Sequence, residues 1–497
     1  MEQTQVRAPS LLDAILPMLV LILLLVASVI LFGSDSSYGP NQIALFIAAG
    51  VAIIIGLKNG YSWADLEAAM VKGISLSMAA VLILLAVGAL IGTWLLSGTV
   101  PTLIYYGLQV LSPSWFYAAS CILCAVVAMS IGSSWTTAAT IGVALIGVAT
   151  GLGLSPAITA GAIVSGAYFG DKISPLSETT NLAPAVAGAD LFQHIRHMLW
   201  TTIPSIVLAV FGFLIIGFNT EVSADLEQVQ QISAVLNSQF NISLWTLVPL
   251  FVLLFMAMRK VPAFPTVFIG ALLGGVWAVL FQPELINRLV DEQLPAAVAV
   301  AKLVWQTLFA GFSISTGNKD MDDLLSGGGM ASMLNTIWLI FSAMMFGAVV
   351  EHIGLLRKFV QSILAFARST GSLITSTMAT CLATNILTAD QYMSIVMPGR
   401  MYKEEYERRG LAPVNLSRAL EDGGTITSPL IPWNTCGAYM HGVLNVNPLD
   451  YFVYAFFNLI NPVLAVIYAY LGFKILKLTP PDTVLPGVAD NLAEKHR

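Results

Sequence analysis

Apolar residues run through this chain in blocks of roughly twenty, and polar residues gather in short strings between the blocks. Such a block matches a helix crossing the ~30 Å hydrocarbon core of a bilayer. The pattern predicts helices over 14–33, 42–57, 74–96, 115–131, 135–150, 156–169, 199–219, 244–258, 263–281, 301–316, 332–350, 372–388, 411–420 and 451–475. The first is long for a signal peptide and no A-x-A site follows it, so it reads as the first membrane helix. Several blocks are short or interrupted. The expected fold is an all-α polytopic membrane protein.

One polar string sits inside apolar sequence: GAYFGDKISPLSETTNLAP, residues 166–184. An ionised side chain at a membrane-helix centre costs ~2.5–3.5 kcal/mol on insertion scales. Non-helical backbone at that depth survives only where it is buried in protein or lines a wet cavity. Gly170, Pro175 and Pro184 are helix breakers. The string therefore predicts a discontinuous helix, with halves near 156–169 and 185–197 and an unwound segment between. The plainer alternative is a loop outside the membrane, with Asp171 and Lys172 solvated. A weak copy in an equally apolar setting favours the first reading. It is ALEDGGTITSPLIPWNTCGAY, residues 419–439, with the breakers Gly423, Gly424, Pro429 and Pro432.

The copy belongs to a longer repeat. GLSP at 153–156 matches GLAP at 410–413, GDKISPL at 170–176 matches GTITSPL at 424–430, and ADLEAAMVKG at 64–73 resembles DDLLSGGGMA at 322–331. The offset stays between about 254 and 258 residues. Basic residues flank the two copies with opposite bias. Arg357, Lys358, Arg368, Arg400, Lys403, Arg408 and Arg409 have no basic counterparts in the first half, whereas Arg196 has none in the second. Opposite bias in matching loops predicts two inverted-topology repeats. The expected division is an N-terminal transmembrane repeat at 1–220, a polar connector at 221–243, a C-terminal repeat at 244–478 and a polar tail at 479–497. Inversion needs an even number of crossings between 97 and 331. The predicted blocks give an odd number, so either 244–258 is misassigned or 301–316 is re-entrant. SSWTTAAT at 133–140 and ATNILTADQY at 383–392 each sit at the turn of an apolar pair, and read as tips of re-entrant hairpins.

Composition agrees with a membrane protein: 57% hydrophobic and 10% charged, against about 25% charged in soluble domains. The net charge of −6 is spread over loops and points to no nucleic acid. Cys121 and Cys124 form C-x-x-C on an apolar helix without a third ligand, so they read as packing residues. No G-x-x-x-x-G-K-[ST] loop and no hydrolase constellation occurs, so neither ATP-driven pumping nor an enzyme is expected, and no cofactor.

The chemistry lies in the two strings. Asp171 supplies a full negative charge, and Ser174, Ser177, Thr179, Thr180 and Asn181 supply neutral oxygens, the hard ligands that alkali cations take. Unwound carbonyls and a half-helix C-terminus add partial negative charge. A buried carboxylate can also trade a proton for the ion. Asp390, Asp422 and Asn434 are the second-half candidates, and Na+ would sit at Asp171 and Asn181. Lys172 would be a charge partner for Asp171, Glu421 or Asp422.

GDKISPLSETTNLAPA at 170–185, TADQYMSIVMPGRMY at 388–402 and LSRALEDGGTITSPLIPWNTCGAYM at 416–440 resemble the NhaC family of sodium/proton antiporters. The resemblance runs from about residue 40 to 475. It implies a multi-pass secondary transporter of a bacterial inner membrane that exchanges cytoplasmic Na+ for external H+. Similar proteins couple Na+ and H+ to a small carboxylate (malate or lactate type) or an amino acid, so that cargo stays open, as do Li+ and a homodimer.

Overall fold

The computed structural model describes residues 6–478 except 221–225, 292, 318 and 365–366. The predicted tail and the first part of the predicted connector lie outside the described residues. Among the described residues the elements are helical, with isolated β-bridges at Phe312–Gly327 and Leu411–Lys477 and no strand. Among the described residues eight helices are long and apolar enough to cross a membrane, and two bent pairs pass the same test together. The helix Leu11–Phe32 leaves most of its surface outward, and Leu12, Ile30, Phe211 and Trp305 are among the exposed large side chains. In water such surface would be unfavourable; against acyl chains it is the matching face.

Most predicted blocks are helices, and Ala263–Phe281 has the predicted ends. The differences have local causes. The region before residue 74 is also helical: Ser62 and Asp65 form a capping box that starts Trp63–Leu76, and a new helix, Met78–Leu96, follows Ser77. Gln391–Arg408 was not predicted, because the acidic and basic residues of its second half hide the apolar period. Leu226–Gln239 makes much of the predicted connector helical. The predicted 301–316 is Ala296–Ala310, too short for a straight span, and ends at Gly311 with φ +92°. The chain then turns back through the Phe312–Gly327 bridge, and the Gly329 N–H donates to the Gly88 carbonyl in mid-helix at 2.6 Å. This is the segment that turns back. Val248–Met258, by contrast, packs along Ala263–Phe281, with Leu253 against Gly270.

Two hairpins enter the bundle from opposite ends. Pro113–Ile131 and Ser134–Gly151 start and finish near Ser155, Gly217 and Gln231. Thr370–Thr388 and Gln391–Arg408 start and finish where Arg409 donates to the Ser369 carbonyl at 2.9 Å. Their tips turn through the left-handed region, at Gly132 (φ +76°) and Ala389 (φ +56°). The Arg409 end also carries Lys403, Arg408, Lys474 and Lys477. The other end carries Asp35, Glu284 and Asp291, with Arg288 on the helix of Glu284 and Lys302 paired to Asp291.

Candidate functional site

The first broken helix is Pro156–Ile173, a break at 174–177, and Glu178–Ala187. The break is much shorter than predicted. Asp171 and Lys172 belong to the last turn of the first half, and Thr179, Thr180 and Asn181 to the first turn of the second. The predicted second half at 185–197 is itself interrupted: Gly188, at φ +83°, ends one helix, and Asp190 caps the next, Leu191–Asn219. Ser177 caps Glu178–Ala187 by accepting from the Thr180 N–H at 3.4 Å. The Thr180 hydroxyl reaches back to the carbonyls of Asp171 (3.1 Å) and Lys172 (2.9 Å), tying the two ends together. The C-terminus of one half and the N-terminus of the other meet here, so carbonyls and N–H groups converge.

This geometry needs close helix approach. A Cβ at Gly166 would lie 2.0 Å from the Cys121 carbonyl oxygen, and one at Gly170 would lie 2.3 Å from that of Ala125. Cys121 and Cys124 are buried, unpaired packing residues on the facing helix.

The tip of the first hairpin completes the site. Ser134 donates to the Asp171 carboxylate twice, from its hydroxyl at 2.7 Å and its N–H at 3.2 Å. A cleft of about 470 Å³ opens beside it. Asp171, Ser177, Thr179 and Asn181 line it from the first break, Asp390 and Tyr392 from the second hairpin, and Thr435 from the second break. Asp390 caps Gln391–Arg408, accepting from the Met393 N–H at 2.8 Å. Tyr392 donates to Glu178, across the cleft. The Thr435 N–H donates to the Ala389 carbonyl at 2.8 Å, joining the second hairpin tip to the second break.

Several predicted residues are engaged within the breaks or buried away from the cleft. Ser174 is buried, and its hydroxyl accepts from the Leu176 N–H at 3.3 Å inside the break. Asn181 donates its amide to the Pro175 and Ser177 carbonyls at 2.9 and 2.6 Å, so it holds the turn. Asn434 is fully buried and bonds Asn385 and the Cys436 N–H, which shapes the second break. Asp422 lies in a sealed cluster instead. It is the ion-pair partner of Lys172, and both side chains have no exposed surface. Asn461 donates to Asp422 at 2.7 Å and accepts from Lys172 at 3.2 Å, and the Thr201 hydroxyl donates to Asp422 at 3.3 Å. Of the three partners open to Lys172, the structure selects Asp422.

Ser134, Glu178, Tyr392 and Thr435 also belong to the cleft. Ser134 and Tyr392 carried a signal, because both lie in the hairpin-tip strings. Nothing in the sequence linked Ser134 to Asp171 across 37 residues.

A second, larger cavity of about 1140 Å³ lies toward the end opposite Arg409. Cleft and cavity touch the same helices at different levels. Ser77–Ile83, Ser134–Thr136 and Thr435–Cys436 line the cleft; Ile91–Leu95, Val143–Gly151 and His441–Leu444 line the cavity. Tyr439, fully buried between those levels, stacks on Trp135 at 4.1 Å with its hydroxyl on the Trp135 carbonyl.

Apolar spanning helices around two breaks, a buried ion pair and a small acidic cleft define a multi-pass membrane protein of the transporter class. Residues 166–473 match the Na+/H+ antiporter family. The chain is 40% identical over 437 residues to the Na+/H+ antiporter NhaC of Alkalihalophilus pseudofirmus, covering 88% of this chain and 91% of that one. It belongs to that family. It is also 39% identical over 447 residues to the malate-2H+/Na+-lactate antiporter of Bacillus subtilis, covering 90% and 92%. With the arginine/ornithine antiporter ArcD of Halobacterium salinarum it shares 34% identity over 480 residues, covering 96% and 95%.

Proposed function

We propose that this protein exchanges cytoplasmic Na+ for external H+ across a bacterial inner membrane, with Asp171 as the carboxylate that binds the ion. One observation carries the choice of cargo. The cleft where hairpin tips and breaks meet is lined by three carboxyls, Asp171, Glu178 and Asp390, and by one ammonium, Lys260. That balance attracts a small cation and repels a carboxylate. Lys172, which could have paired with an organic anion, is sealed away with Asp422. The Ser177 and Thr179 hydroxyls supply neutral oxygens beside Asp171, and Ser134 aims its carboxylate. Asn181, Ser174, Asn434 and Asp390 hold the turns that shape the cleft, and Lys172–Asp422 is a structural counter-charge pair.

The arrangement supports two inverted halves. The hairpins enter from opposite ends, and the broken helices run in opposite senses, from Pro156 near the large cavity and from Pro413 near Lys477. Basic residues crowd the Arg409 end, which by the positive-inside rule faces the cytoplasm. The large cavity then faces outward.

The test is transport in proteoliposomes with an imposed pH gradient, adding Na+, Li+, K+, malate or lactate one at a time while following internal pH. Na+ alone should move protons. Proton movement only when a carboxylate is present would replace this reading by organic-anion exchange.

A further inference from the structure

Glu421 stands apart from every group used so far. It is fully buried and opens a π-helical turn, Glu421–Thr425, that follows the helix Pro413–Leu420. Such wide turns occur as local insertions that re-aim side chains, often at functional sites. Neither carboxyl oxygen has a hydrogen-bond partner within bonding geometry, and the Thr425 hydroxyl is the nearest polar side chain of its own turn. The cation within reach, Lys172, is bound to Asp422. A bare carboxylate in such a place is many kcal/mol unfavourable, so burial favours the neutral, protonated form of Glu421.

Two features separate this group from the cleft. Glu421 lines neither the cleft nor the large cavity. A metal cation would need several oxygens and room to seat them; a proton needs one oxygen and no room. Yet the group is electrostatically joined to the cleft. The ionisable groups facing it are Asp171 and Lys172 of the first broken helix, Asp422 of its own turn and Cys381 of the second hairpin. Tyr402 and Tyr406 flank Cys381 from the hairpin's other arm, with their hydroxyls held by Thr380 and Thr377. Arg418, one turn earlier, faces Asp422.

We propose that Glu421 is a second cargo-binding carboxyl, one that carries the exchanged proton while Asp171 carries Na+. This rests on the reading of Asp171 as the Na+ ligand. The two sites share no ligand and are coupled through Lys172. A cation arriving at Asp171 adds positive charge to the neighbourhood, which weakens proton binding at Glu421. By linkage a proton at Glu421 weakens Na+ binding by the same factor. Mutual exclusion of that kind is what antiport requires. The release step moves one proton and no electrons: in a conformation of the cycle that opens this region to water the Glu421 O–H bond breaks, the proton passes to that water, and the carboxylate left behind shares Lys172 with Asp422.

The experiment compares two fluxes in proteoliposomes. Exchange of radioactive for unlabelled Na+ needs the Na+ site but no proton; Na+-driven proton movement needs both. Glu421→Gln, nearly isosteric with the protonated form, should keep Na+/Na+ exchange and lose proton movement by about 10-fold or more. Asp171→Asn should lose both, and Glu421→Asp, which restores a carboxyl, should regain proton movement. Unchanged proton movement in Glu421→Gln overturns the proposal, as does loss of both fluxes in Glu421→Gln and Glu421→Asp alike in folded protein. Wild-type protein without Na+-driven proton movement would overturn the underlying antiport reading instead.

Discussion

The two SPL strings are similar in sequence and opposite in circumstance. The first break is four residues long, 174–177, and opens on the cleft; its acidic residue, Asp171, is held by Ser134 and reaches the opening. The second runs through a π turn, a 3-10 turn at Ser428–Leu430 and a further turn over 431–434, closed by the Asn434 N–H on the Ile431 carbonyl at 3.0 Å, and most of it is buried. Its acidic residues, Glu421 and Asp422, have no exposed surface. A shared motif therefore supplies two different things: a carboxylate that an ion can reach, and a sealed pair of carboxyls around Lys172. Short polar strings set where a membrane helix breaks, and packing decides whether the break meets water.

The comparison breaks first at Asp171. Asp171→Asn should bring Na+-driven proton flux below detection while the protein still inserts and elutes as a single species. Retained flux would move the ion site elsewhere. The sealed region predicts a stability effect of the next size. Lys172→Met or Asp422→Asn alone breaks the buried ion pair and should destabilise by about 3–5 kcal/mol. Joining the two changes should recover much of that loss in thermal unfolding in detergent. If each single change leaves the melting temperature in place, the pair is not sealed. Ser134→Ala sharpens the account of the open region. It removes the hydroxyl bond to a charged group, worth about 1.5–3 kcal/mol, and leaves the N–H bond in place. The apparent KM for Na+ should rise by roughly 10-fold, with no change in fold. The smallest effect belongs to Cys121→Ala. As a packing residue, it should cost about 1 kcal/mol or less and leave exchange unchanged. Loss of exchange there would revive metal or redox chemistry for the C-x-x-C.

Much of this was legible in the sequence, for identifiable reasons. Apolar blocks report spans because the bilayer allows little else. Gly170 and Pro175 marked the first break, and the strings at 133–140 and 383–392 marked both tips. Three things were hidden. Gln391–Arg408 carries its charge where the hairpin leaves the bundle, which hides its apolar period. The turn-back of Ala296–Ala310 depends on Gly329 docking against Gly88, a contact no local pattern encodes. The choice of Asp422 over Glu421 as the partner of Lys172 is made by Asn461 and Thr201, which approach from other helices. The same distant packing leaves Glu421 bare.

The most direct test of the open-against-sealed account is Na+ binding at equilibrium, without turnover. Purified protein in a choline background is titrated with NaCl in a calorimeter, as wild type, Asp171→Asn and Glu421→Gln. The account predicts saturable Na+ binding in wild type and in Glu421→Gln, and none in Asp171→Asn. Unchanged binding in Asp171→Asn, or its disappearance only in Glu421→Gln, would contradict it.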